Sequence, residues 1–196
     1  MKKIVIAILL AALILFGASW GLNGIAASNA QIEHLNMMRT LLPDSKNFTV
    51  EPYAGEDANI RSVHKAENGF VIETVTYGYA GEITMLIGVN NDGKVTGLVV
   101  REMHETFGLG AQALTDHEFL AQFLNTEGGV AIGTADGEAD AFSGATAEET
   151  ETETSVYVDG ISGATVASTA IVRCVNSAAA YVTGADAASE ATSWGG

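Results

Sequence analysis

The sequence predicts an α+β domain, an antiparallel sheet with packed helices, preceded by one N-terminal transmembrane helix. Three observations lead there. Ile4 to Leu22 is an uncharged run of 19 residues rich in Ile, Leu and Ala. Three segments rich in β-branched residues, Gly69 to Tyr77, Glu82 to Val89 and Val95 to Met103, follow one another closely. After Thr165, apolar Ala167, Ile171, Cys174, Val175 and Ala178 recur at three- and four-residue steps, the helical period. Strands first and the long helix last is the order of an α+β chain.

At the helical rise the apolar run covers roughly 28 Å, close to the ~30 Å hydrocarbon core of a bilayer. Lys2 and Lys3 precede it and an acidic remainder follows, which orients the N-terminus to the cytoplasm and the rest outside. The competing reading is a cleaved secretory signal, which the small residues Ala26, Ala27, Ser28 and Ala30 permit. The run exceeds the usual apolar length of such signals, so an anchor over 1–28 is expected. Both readings export the domain, placed at 29–184, with a flexible small-residue tail at 185–196.

Beyond the two lysines the chain holds seven basic residues against 24 acidic ones, a formal charge of −17. Nucleic acid is excluded as a partner, because that affinity rests on Lys and Arg neutralising phosphates. Cys174 is the single cysteine, which excludes an intramolecular disulfide and a redox thiol pair, and a small buried apolar role is expected for it. His34, His64, His104 and His117 lack the paired spacings of zinc or iron sites.

Ala30 to Leu42 reads as an amphipathic helix with Ile32, Leu35, Met38 and Leu41 on one stripe, ended by Pro43. Asp44 to Lys65 is polar and mixed, a connector with room for a short strand. Asn90-Asn91-Asp92-Gly93 then predicts a hairpin turn, since Asn, Asp and Gly tolerate positive φ. A short helix over Thr115 to Leu124, capped by Thr115 or Asp116, buries Phe119, Leu120 and Phe123. Strands are expected at Val130 to Ile132 and Ser155 to Val158, with a mobile acidic loop over Gly133 to Thr154 between them.

Asp159-Gly160-Ile161-Ser162-Gly163-Ala164-Thr165 places one hydroxyl on a glycine-bearing turn just ahead of the last helix. A helix start offers unpaired N–H groups and the positive end of a dipole, so a phosphate held there is stabilised. Gly163 and Ala164 allow close approach to the backbone, and Thr165 is expected at or near the N-cap. The same pattern occurs at Asp140 to Thr146, where four acids follow the threonine within seven residues and would repel a phosphate. No acid follows Thr165 until Asp186, which favours Thr165 over Thr146.

The segment Asp-x-x-Ser-Gly-Ala-Thr resembles the flavinylation motif of the FMN-binding domain family, which has members in Rnf electron-transport complexes and in the similar sodium-translocating NADH:quinone reductases. A second stretch, Met103 to Gly110, resembles the family's Glu-Thr-Pro-Gly-Leu-Gly signature, with Phe107 where proline is usual. The resemblance is strongest to the Rnf members and spans the membrane segment and roughly residues 60 to 183. It implies FMN joined to Thr165 by a phosphoester, with Ser162, Gly163 and Ala164 around it and with Glu105, Thr106, Gly108, Leu109 and Gly110 lining the flavin. A hydroxyl is a poor nucleophile without a base, and none is adjacent in sequence, which agrees with the family's use of a separate FAD-dependent flavin transferase.

The resemblance also implies partners among the other membrane proteins of such a complex, contact with lipid through the N-terminal helix, and an electron-carrying role in ferredoxin:NAD+ oxidoreduction coupled to ion transport. The rival readings are a stand-alone exported flavoprotein, a component of a quinone reductase, and a non-redox acidic surface module whose Ser-Gly-Ala-Thr turns merely cap helices. A nicotinamide-binding fold is not expected, because no Gly-x-Gly-x-x-Gly joins a strand to a helix.

Overall fold

The computed structural model describes residues 29, 31–103, 114–133 and 156–184. Contacts divide the chain into two units, Met1–Met37 and Met38–Gly196. In the first unit the described residues are helical and begin α1, which runs over 31–41. Leu35 is half-buried, but Ile32, expected on the same buried stripe, is exposed. The stripe is fully buried only in the last turn, at Met38 and Leu41, which belong to the second unit. Leu42 donates to the Met38 carbonyl, and Pro43 follows the end of the helix, having no N–H to continue it.

The second unit is built on a five-stranded antiparallel sheet in the order β1 (Thr49–Glu51), β2 (Ile60–Ala66), β3 (Gly69–Tyr77), β4 (Glu82–Asn90) and β5 (Val95–Met103). Beyond it lie α2 (His117–Ala121), β6 (Val130–Ile132), β7 (Val156–Val158) and α3 (Thr165–Thr183). The antiparallel α+β class is as expected, with β3 and β5 at the expected residues and β4 one residue longer. The connector read over Asp44 to Lys65 does hold a short strand, β1, but the reading is corrected at its end, where β2 is a full seven-residue strand. Its polar residues disguised it: Arg61 and Lys65 are ion-paired to Glu82 and Glu51, so they stay in a strand whose Ile60 and Val63 are buried.

Seven consecutive residues of β4 are buried, Ile83 to Val89, because the strand is internal and covered on both faces. Ile83, Met85, Ile87 and Val89 join Ile171, Cys174, Val175 and Ala178 of α3 in one core. On the opposite face Leu41 lies on Gly88 and Gly97, and the Thr96 hydroxyl donates to the Leu41 carbonyl. A Cβ at Gly88 would overlap that carbonyl oxygen. Gly88→Ala is therefore expected to cost about 1–3 kcal/mol, the range of overpacked cores, and a urea midpoint equal to wild type would refute the close approach.

Charged side chains brace one end of the sheet. Glu73 of β3 lies between Arg101 of β5 at 3.2 Å and Arg61 of β2 at 3.7 Å, while Arg61 reaches Glu82 of β4 at 2.7 Å. Four strands are thus linked through one network. The Asn90 side chain accepts from the backbone of Asp92 and Lys94, which closes the expected hairpin with Gly93 at φ 85°.

Cys174 is fully buried, as expected, and burial pushes its thiol up to about 12. The unfolded thiol ionises near its ordinary value of 9.0, so between those two values the unfolded chain has lost a proton that the folded chain keeps. Its contribution is fully present below pH 9 and is lost as pH rises toward 12, with a ceiling of about 4 kcal/mol at ~1.4 kcal/mol per pH unit. Cys174→Ala is expected to unfold less steeply with alkali over that window; parallel pH–stability curves for the two proteins would refute this.

Two predicted segments lie outside the described residues, the membrane anchor at 1–28 and the tail at 185–196. Among the described residues no helix is long and apolar enough to cross a membrane. Apart from Gly133, the loop expected over Gly133 to Thr154 is outside them too.

Candidate functional site

The chain reaches the Ser-Gly-Ala-Thr turn from β7 and leaves it as α3. β7 pairs in parallel with β6, Val130 against Val156 through Ile132 against Val158. β6 is fastened to α3 by one side-chain amide: Val130 N–H donates to Asn176 Oδ1 at 3.0 Å, and Asn176 Nδ2 donates to the Val130 carbonyl at 2.9 Å. The turn's position relative to α3 is therefore fixed through a strand pair as well as through the chain itself.

Each residue of the motif has a distinct local task. The Ala164 N–H donates to the Ile161 carbonyl at 2.9 Å, closing a turn whose third residue, Gly163, has φ 79°. That is the positive φ that a type II turn demands at its third position, so glycine suits it. Ser162 sits exposed at the corner. Ala164 is only 4 % exposed and packs with Ala167 under Ile161, which explains a small apolar residue there. The Ile161 N–H donates to Ser168 Oγ at 3.3 Å, so the first turn of α3 holds the turn from below.

Thr165 is the first residue of α3 and half-buried; the N-cap is Ala164, with φ −122° and ψ 29°. The expectation that Thr165 stands at or near the N-cap is thereby refined to the position just inside the helix. Ala164 has no side chain able to cap, and no cap bond from a side chain is made. The first-turn N–H groups point out of a helix end that carries partial positive charge, and no acid lies in that turn. Such an end stabilises an anion beside the Thr165 hydroxyl.

The other wall of the region is α2. Asp116 caps it by accepting from the backbone N–H groups of Glu118 and Phe119 at 2.9 and 3.0 Å, so of the two cap candidates Asp116 serves. α2 is shorter than the Thr115 to Leu124 expected, yet its segment buries Phe119 and Phe123 with Leu120 half-buried. Its C-cap residue Gln122 reaches the start of the motif, ahead of the turn: Asp159 N–H donates to Gln122 Oε1 at 2.8 Å, and Gln122 Nε2 donates to the Asp159 carbonyl at 3.3 Å.

A cavity of about 350 Å³ opens between β5 and α2, walled by apolar Leu98, Val100, Met103, Leu114 and Leu120, with Arg101, Thr115 and His117 as the polar members of its lining. Its volume is at the lower end of small-molecule sites, ~300–1,000 Å³. Met103 and Leu114 stand at the two ends of residues 104–113, so the second predicted motif leaves and rejoins the described chain at this wall. Glu105, Thr106, Gly108, Leu109 and Gly110 themselves lie outside the described residues, as does Thr146.

The structure brings Ser162, Gly163, Ala164 and Thr165 together as one formed turn. Sequence reasoning missed Gln122, Ser168 and Asn176. Each acts across a tertiary contact, and an isolated Gln, Ser or Asn carries no pattern that would reveal it.

Residues 78–180 match the FMN-binding domain family. The G subunit of an ion-translocating oxidoreductase complex from Methanosarcina acetivorans is 32% identical over 157 residues, covering 74% of this chain and 72% of that protein. The G subunit of a Na(+)-translocating ferredoxin:NAD(+) oxidoreductase complex from Acetobacterium woodii is 33% identical over 111 residues, 55% of this chain and 46% of that protein. The G subunit of a proton-translocating ferredoxin:NAD(+) oxidoreductase complex from Clostridium ljungdahlii is 28% identical over 176 residues, 87% of this chain and 83% of that protein.

Proposed function

The chain belongs to the FMN-binding domain family, and from that premise we infer that it is the electron-carrying flavin subunit of an ion-translocating ferredoxin:NAD+ oxidoreductase complex of the Rnf type. One observation carries this reading: the family match covers β4 and β5, the residues that wall the cavity and the turn together, and relatives matched over most of their length are the G subunits of such complexes. The other subunits of the complex are its partners.

The residues fit FMN at both ends. At the phosphate end stand the uncapped, acid-free start of α3 and the Thr165 hydroxyl. At the ring end the apolar cavity offers a surface on which a flat aromatic system loses contact with water. Thr165 would hold the phosphate through a phosphoester, with Ser162, Gly163 and Ala164 shaping the approach. Leu98, Val100 and Leu120 would hold the ring, with Glu105, Thr106, Gly108, Leu109 and Gly110 contributing from the 104–113 segment. FMN, when bound, supplies the electron storage that no side chain offers.

Attachment would need an FAD-dependent flavin transferase, since no base neighbours Thr165 in sequence. The segment 1–28 would anchor the chain in lipid with its N-terminus cytoplasmic, and residues 29–184 would work outside, followed by the tail at 185–196. There a covalent link prevents loss of the cofactor by dilution, because tethering replaces bulk concentration by an effective one. The test is the intact mass of the protein co-expressed with such a transferase, followed by a peptide map. One FMN on the peptide containing Thr165 is expected; a mass equal to that of the polypeptide alone would overturn the covalent reading.

A further inference from the structure

Gln122 is the feature for which the family reading has no use. It stands one residue beyond α2, 37 residues before Asp159 in sequence, and its amide satisfies both backbone groups of Asp159 at 2.8 and 3.3 Å. This is the bond pattern of a strand neighbour, supplied by a side chain. Asp159 directly follows β7, so the amide continues the bracing of β7 past its last residue. Two residues earlier on the same helix segment, Leu120 walls the cavity, and one residue later Phe123 is completely buried. α2 is thus anchored in the core, touches the cavity, and grips Asp159, the first residue of the motif and two residues ahead of the Ile161–Ala164 turn.

We propose that Gln122 is a positioning residue for the bound flavin: by holding Asp159 it fixes the Thr165 turn against the cavity wall, so that attachment point and ring site move as one body. The inference rests on Thr165 as the attachment point and the cavity as the ring site. A phosphoester alone leaves several rotatable bonds between Thr165 and the ring, and each freely rotating bond widens the space the ring explores. Ser168 fixes Ile161 to α3 itself, whereas only Gln122, among the described hydrogen bonds of the turn, reaches across to α2. Without Gln122 the turn remains part of α3 and Ile161 still packs on the core that holds Phe119 and Phe123, but the directional hydrogen bonds to the wall are lost.

The experiment uses the full chain co-expressed with the flavin transferase and compares wild type with Gln122→Ala and Gln122→Glu. Intact mass counts the flavin, time-resolved fluorescence anisotropy reads its independent motion, and spectroelectrochemistry reads its midpoint potential. Gln122→Ala is expected to keep one FMN per chain, to gain a several-fold larger fast depolarisation, and to shift the reduction equilibrium about tenfold toward that of free FMN, about 30 mV for a two-electron couple. Gln122→Glu keeps the acceptor for the Asp159 N–H but loses the donor to its carbonyl, so intermediate values are expected. A flavinylated Gln122→Ala protein with unchanged anisotropy and potential, whether or not its unfolding midpoint has fallen, would overturn the proposal and leave the function standing. A wild-type chain that carries no flavin would overturn both.

Discussion

Thr165→Ala is expected to abolish covalent flavin completely while leaving the domain folded. The hydroxyl is the only part of the side chain that a phosphoester needs. Structurally the residue is dispensable: it occupies the first position of α3, is half-buried, and takes no part in a side-chain cap. Alanine is the best helix former, so the substitution is neutral or slightly stabilising for α3. The expected protein therefore has the wild-type circular dichroism and urea midpoint, the mass of its amino acids, and no in-gel flavin fluorescence. Thr146→Ala is expected to retain both the band and the added mass. A band that survives in Thr165→Ala and vanishes in Thr146→Ala would move the attachment to the upstream copy of the motif, and a band surviving in each single variant would mean two flavins.

The largest stability effect is expected at Phe123. Its side chain is completely buried and stacks edge-on against Phe119, with ring centroids 5.2 Å apart and planes at 88°. The backbone around it is equally committed. Its carbonyl accepts from the buried Thr126 hydroxyl at 2.7 Å, and the Thr126 carbonyl accepts from Val95 N–H at 2.9 Å, which ties the end of the α2 segment to the start of β5. Phe123→Ala removes transfer energy and leaves a void that these fixed neighbours cannot close, a cost of roughly 3–5 kcal/mol. Leu124, the next residue, is 41 % exposed, and Leu124→Ala should stay within about 0.5 kcal/mol of wild type. Urea denaturation of the pair checks the contrast, and similar midpoints for both variants would contradict this packing.

How much of this was legible in the sequence follows from how local each signal is. The hairpin of β4 and β5 announces itself because the β-branched residues of both strands flank Asn90-Asn91-Asp92-Gly93, and each turn residue is chosen for backbone reasons that act within four positions. The Ser162-Gly163-Ala164-Thr165 turn was legible for the same reason, although the positive φ that Gly163 adopts there was not read from the sequence. β2 was not. Between Ile60 and Ala66 a register shift interrupts the pairing with β3, and Arg61 and Lys65 take acidic partners from other strands. Neither effect is visible within the seven residues.

The parallel pairing of β6 with β7 was hidden as well. Each strand has three residues, too few for a period to show, and the two are separated by 23 residues of chain. The clasp of Gln122 on Asp159 is the extreme case, since a single amide finds its partner only after α2 and β7 have docked. What the sequence announced of the site was its chemistry: a hydroxyl on a glycine turn at a helix start. What it withheld was the framework that holds that turn in place.

The two register shifts between β4 and β5, at Thr84/Met85 and Gly88/Val89, bear on how the protein behaves in crowded solution. β5 is an outermost strand of the described five-stranded sheet, and a flat outer strand with unpaired N–H and C=O groups is a template for another molecule. Bulges increase the local twist and spoil the even spacing that an incoming strand must match. Arg101 and Glu102 add charge near the same border. Copies of this domain pressed side by side are thereby discouraged from zipping together into fibrils.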